Sequence, residues 1–196
     1  MSRWSPQISH IIKMAGQQTD DKHLLDTFFI KRTYEPKTEQ EKKDFEEFSL
    51  VTSSMSLMIH IAKADKIMHP EERMRIIEDL TYQLEQRPYE YDNLSEKFGK
   101  SEKEIILNMY NQLVDDYDKK KIDLEEIIKV INLIYQNNLK KRLYVLRLCY
   151  YCAMSDSYYE ESEKKVITEI ASKLRIPVRE RKRIESEIID EMNQNK

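Results

Sequence analysis

A chain of 196 residues with 40% apolar side chains can bury a core of its own, so a disordered protein is excluded. Two glycines and five prolines, set against abundant Glu, Lys, Leu and Ile, leave few turn formers for a sheet and many helix formers, which predicts an all-α protein. The net charge of −3 creates no global field toward nucleic acid or anionic lipid, and no apolar run approaches the ~20 residues of a spanning helix, so the expectation is a soluble cytoplasmic chain without a transmembrane segment.

The start Met1-Ser2-Arg3-Trp4-Ser5-Pro6 lacks the basic-then-apolar order of a signal peptide. Ser5-Pro6 opens a short helix with Ile8, Ile11, Ile12 and Met14, and Leu24, Leu25, Phe28 and Phe29 follow as a second, so residues 1–37 are read as a helical appendage to a domain over 38–196. Thr38 with Glu41 forms a capping-box pattern for a long helix to about Ala64 that carries Phe45, Phe48, Met55, Ile59 and Ala62 on one face. Pro70 suits the first position of the next helix, with Ile76, Ile77, Leu80 and Leu84 inward and Pro88 as its stop. Asp92–Phe98 reads as a short helix closed by Gly99. Ser101 and Glu104 then open another through Ile105, Ile106, Met109, Leu113 and Val114, and the polar run Asp115–Lys121 reads as a turn. Leu124, Ile127, Ile128, Ile131 and Ile134 form one face of a helix broken near Asn137-Asn138. Leu143–Met154 is apolar almost all round except for Arg147, the pattern of a central helix. Val166, Ile167, Ile170, Ala171 and Leu174 make the next helix, Ile176-Pro177 turns the chain, and Ile184, Ile188, Ile189 and Met192 line the last of nine or ten helices.

Two stretches match each other. In Ala62-Lys63-Ala64-Asp65-Lys66-Ile67-Met68-His69-Pro70-Glu71-Glu72 and in Ala153–Glu163, an Ala precedes an Asp by three residues and a Glu follows it by seven. Upstream, Met55, Met58, Ile59 and Ile61 align with Leu146, Cys149, Tyr150 and Cys152, apolar against apolar at helical spacing. An internal repeat is the simplest account, each unit a helix, an acidic corner and a second helix.

The pattern Ala-x-x-Asp, short turn, Pro-Glu-Glu and apolar helix resembles the tellurite-resistance TerB family, in a superfamily that takes in the amino-terminal domain of the co-chaperone DjlA. The resemblance covers roughly residues 40–192 and includes Leu174-Arg175-Ile176-Pro177, where the family has a Leu-Gly-Ile-like end. It implies an all-helical domain of two pseudo-symmetric halves, linked to stress response, whose corner acids hold a metal ion. The family's Gly after each corner Asp is replaced here by Lys66 and Ser157.

Asp65, Glu72, Asp156, Glu160 and Glu163 are the candidate ligands for a divalent ion, calcium or magnesium, because hard cations need several oxygens converging at one point. The competing reading is capping, since Glu72 stands third in a helix opened by Pro70 and can reach back to its start. Glu160, Glu161 and Glu163 crowd beside Asp156 without a neighbouring lysine before Lys164, which favours a cation at the second corner over the first. Ile67 and Tyr158 at the third positions exclude an EF-hand. Cys149 and Cys152 sit inside an apolar helix with no second Cys pair, so buried thiols are expected in place of zinc or redox chemistry. His60 is read as a core-edge residue and His69 as a helix-start residue, and the basic run Arg179–Arg183 as a solvated face.

No phosphate loop, nucleophile elbow or paired catalytic motif occurs. The expected function is a non-catalytic binding or scaffold domain linked to stress response, with a protein partner through which it could associate peripherally with a membrane. The alternatives are a metal-dependent enzyme using the corner carboxylates and a purely structural interaction domain.

Overall fold

The computed structural model describes residues 39–64, 68–85, 102–119, 123–155 and 159–194. Among these residues there are seven α-helices and no strand: α1 Glu39–Ala62, α2 Pro70–Glu85, α3 Glu102–Asp118, α4 Leu124–Ile134, α5 Leu139–Ala153, α6 Glu161–Lys173 and α7 Val178–Gln194. The helices expected within residues 8–29 and 92–98 lie outside the described residues. No described helix is long and apolar enough to cross a membrane. The chain divides into two compact units, one running to Thr52 and resuming over Ile77–Asp123, the other holding Ser53–Ile76 and Leu124–Lys196.

In the first unit, Ile106, Met109, Tyr110 and Leu113 recur at helical spacing on α3 and are buried, as are Leu50, Val51, Ile77 and Leu80. The polar run after Val114 is helical to Asp118, contrary to the turn expected there. Asp116 is buried, while Lys119 donates from its backbone N to Asp115 O at 3.0 Å and closes a 2.6 Å ion pair with the same residue. The Asp115–Lys119 pair, one turn apart on the helix surface, supports the last turn through a stretch whose composition alone favours a loop.

The second unit is organised around α5. It begins four residues earlier than the apolar run suggested, because Asn138 caps it by accepting from Lys141 N at 3.1 Å. Val145, Leu146, Leu148, Cys149, Tyr150, Cys152 and Ala153 are all buried, and α5 packs on both α6 and α7. Arg142 is buried too, and this was not apparent in the Lys140-Lys141-Arg142 run. Its Nη1 donates to Leu174 O at 2.8 Å and its Nη2 to Gln136 O at 3.5 Å, so one guanidinium serves orphan carbonyls at the ends of two helices. Asn132 adds a 2.9 Å bond from Nδ2 to Lys173 O, and Lys173 itself pairs with Glu125 and Glu169. On α7, Ile184 and Ile188 are buried, but Ile189, expected inside, is 41% exposed.

Helix α6 ends in a Schellman motif: Ile176 N donates to Ala171 O at 3.0 Å and Arg175 N to Ser172 O at 2.9 Å. The left-handed residue this motif requires is Arg175, with φ 55°, at the place where the resembled family has glycine. A side chain there costs about 1–2 kcal/mol, and glycine returns part of the gain as extra freedom of the unfolded chain. Arg175→Gly is expected to raise stability by roughly 0.5–1 kcal/mol in urea unfolding, with Arg175→Val lowering it; equal midpoints for all three proteins would contradict the strain.

Both cysteines are free and buried, and burial pushes the Cys149 thiol up to about 12. Because the thiolate is the reactive form, labelling at pH 8 should proceed only as fast as the protein unfolds and accelerate sharply in urea. Rapid labelling of native protein would contradict that placement.

Candidate functional site

The two corners belong to one unit and are built alike, bond for bond, at a constant offset of 91 residues (62 to 153, 70 to 161). At the first, α1 stops at Ala62, Lys63 N donates to Ile59 O at 3.1 Å and Ala64 N to Ile61 O at 2.8 Å. At the second, α5 stops at Ala153, Met154 N donates to Tyr150 O at 3.0 Å and Ser155 N to Cys152 O at 3.2 Å. The matched positions Met55 and Leu146, Met58 and Cys149, Ile59 and Tyr150, Ile61 and Cys152 are all fully buried, which gives the sequence repeat its physical content.

The exit helices repeat as closely. His69 N donates to Glu72 Oε2 at 2.7 Å, and Glu160 N donates to Glu163 Oε2 at 2.9 Å. Each glutamate stands at the third helical position, where it satisfies a donor just ahead of the helix and meets the positive end of the helix dipole. Pro70 opens α2 at the position where a missing N–H costs nothing. Glu72 and Glu163 are both buried, 3% and 6% exposed, whereas Glu160 is exposed as the residue before α6. Capping therefore does not separate the corners as the sequence suggested, because Glu163 does what Glu72 does. Asp65 and Asp156 lie outside the described residues, and among the described residues no three His, Cys, Asp or Glu side chains are grouped so as to hold a metal ion.

The last turns of α1 and α5 lie against each other, with Cys152 Sγ donating to Met58 O at 3.7 Å. Each of these helices also faces the exit helix of the other corner. The Arg75 guanidinium of α2 lies 4.8 Å from the ring centre of Tyr151 on α5, and Glu169 of α6 acts on His60 of α1. His60 and Tyr151 occupy matched positions. Burial lowers the His60 pKa, with Glu169 opposing that shift.

The second corner has a brace built on Tyr150, where the first corner has Ile59. Tyr150, aligned with Ile59, receives a 3.4 Å bond from Arg181 Nη1, which also pairs with Glu185 at 3.3 Å. Tyr159 donates to Glu185 Oε1 at 3.3 Å and meets Tyr150 edge to face at 6.1 Å, while Lys164 stands 5.1 Å from its ring centre. Burial raises both phenol pKa values, with Glu185 adding to the effect, so both rings stay protonated. Arg181 is thus part of this network, and the basic run Arg179–Arg183 is not uniformly a solvated face. Sequence reasoning missed the brace, although a tyrosine in an otherwise apolar helix was a signal, since a buried phenol needs a partner. Beside it, Arg147 pairs with Glu187 at 2.6 Å and with Glu191 at 2.9 Å, and Tyr151 donates to Glu191.

Set against known proteins, residues 51–186 match the family model for tellurite resistance protein TerB, a span that includes both corners, the brace and the Schellman turn. No curated protein and no solved structure matches the chain.

Removing either buried carboxylate strands a backbone donor. Glu72→Ala and Glu163→Ala should each cost about 1–3 kcal/mol in chemical denaturation, with the Gln variants closer to wild type because an amide oxygen still accepts. A Glu163→Ala protein as stable as wild type would show that the second cap contributes nothing.

Proposed function

Because the chain belongs to the TerB family, we propose that it is a non-catalytic, cytoplasmic binding domain of a stress response, presenting a divalent cation at its paired corners to a protein partner. The observation that carries this reading is the contact between the last turns of α1 and α5, which brings two helix carboxyl ends together. Each end contributes last-turn carbonyls and a partial negative charge, and buried carboxylates stand just beyond both. This donor chemistry is all oxygen, which suits calcium or magnesium. Asp65 and Asp156 would be the principal ligands, with Glu160 at the rim and Glu72 and Glu163 holding the corner backbones through Oε2 while adding negative charge. Bound there, the ion would offset the repulsion among these acids. The duplicated caps favour a second reading, in which the corners are structural and the domain binds its partner without metal.

Metal titration followed by thermal unfolding separates the two, since a ligand bound only by the folded state stabilises it by about 2.7 kcal/mol at a concentration 100 times its Kd. Calcium or magnesium should raise the melting temperature of metal-free protein. Asp156→Asn should abolish most of the shift and Asp65→Asn less, because Lys66 already places a cation beside Asp65. If neither metal moves the transition of wild-type protein, the cation reading is wrong and the structural one stands.

A further inference from the structure

The end of the second unit remote from the corners has a character of its own. Arg142 ties the start of α5 to the end of α6, Asn132 ties the end of α4 to the same place, and α7 begins at Val178, a few residues beyond Leu174. Helix α5 has 15 residues and is about 22 Å long at ~1.5 Å per residue, so this end is well separated from the acidic one.

Here Lys140, Arg175, Arg179 and Lys182 are exposed and Lys141 is half-buried, and none of the five forms an ion pair among the described residues. Two acids of this end are engaged by other cations, Glu180 by Arg183 at 2.9 Å and Glu125 by Lys173. Of the six large apolar side chains exposed among the described residues, three are here: Leu133 at 65%, Val178 at 64% and Leu139 at 36%. What sets this end apart is the combination of exposed aliphatic side chains with cations that no described acid neutralises.

We propose that this end of the second unit docks on an anionic lipid bilayer, with its lysines and arginines on headgroup phosphates and Leu133, Leu139 and Val178 entering the interface. Lysine is depleted in protein–protein interfaces, whereas this patch holds three lysines. Aliphatic residues rimmed by Lys and Arg are the pattern of interfacial membrane contact, strengthened by each cation near the negative surface. The overall charge of −3 does not oppose this, since screening confines the attraction to charges within about 10 Å of the surface. The docking needs neither a metal ion nor the corner acids.

Flotation of the full chain with phosphatidylcholine vesicles, with and without phosphatidylglycerol, tests it. Metal-free wild-type protein should float with the anionic vesicles alone, and the bound fraction should fall as sodium chloride is raised. The double variant Lys140→Glu/Lys182→Glu should bind about tenfold or more weakly, and Val178→Ser should weaken binding at unchanged charge. Lys165→Glu, an exposed site near the start of α6, should leave it unchanged. Far-ultraviolet circular dichroism confirms that each variant is folded. Failure to float with phosphatidylglycerol at low salt overturns the proposal, as does equal binding of the double variant and wild type. Capture by a polyglutamate peptide without vesicle binding also overturns it, assigning the surface to an acidic protein partner.

Discussion

Burial of α5 on nearly every side is the condition on which the second unit depends. A helix with Val145, Leu146, Cys149, Tyr150 and Cys152 all enclosed needs neighbours around its whole girth, and α6, α7 and the last turns of α1 supply them. Each fully buried aliphatic or aromatic side chain contributes about 1.5–3 kcal/mol relative to exposure, so α5 holds a large share of the unit's apolar stabilisation. The same enclosure raises the problem of polar groups at its two ends. At one end Arg142 serves two carbonyls, and at the other the chain leaves through a corner whose next helix begins with its own carboxylate cap.

Repetition of that corner is more than a likeness of residues. The helix stops at matched places, the post-helical bonds use matched carbonyls, and the capping glutamates use the same oxygen on matched backbone N–H groups. Crossed contacts link the copies, Arg75 with Tyr151 and Glu169 with His60, as expected of two halves around an approximate two-fold relation. The copies differ where tertiary demands differ. Tyr150 replaces an aliphatic residue and brings Arg181, Glu185 and Tyr159 to the second corner. The second corner is thereby fastened to α7 through Tyr150 and Tyr159.

Much of this was legible in the sequence because it is local and periodic. Ala62 and Ala153 end their helices, Pro70 opens one, and Glu72 caps it, all from short-range rules on capping and spacing. What escaped was long-range and polar. Arg142, in a run with Lys140 and Lys141, is distinguished only by reaching Leu174, 32 residues away. Arg181 is distinguished from its basic neighbours by Tyr150, 31 residues away. Helical periodicity assigns a face to a residue but not the partner that an opposing helix brings to it. The run after Val114 failed the other way, since composition assigns it to a turn while it continues α3 to Asp118, with Lys119 paired to Asp115 one turn back. Glu163 was legible in position but not in role, because the acids around it suggested repulsion where one backbone N–H had already engaged it.

The chemical difference between the two ends of α5 has a consequence in acid. A guanidinium keeps its charge at every pH a folded protein meets, whereas carboxylates are neutralised as pH falls through their range. The bonds of Arg142 to Leu174 and Gln136 therefore keep their charged donor in acid, while each corner cap rests on a carboxylate acceptor. The two ends of α5 are thus fastened by opposite charges, a cation on carbonyls at one and anions on backbone N–H groups at the other.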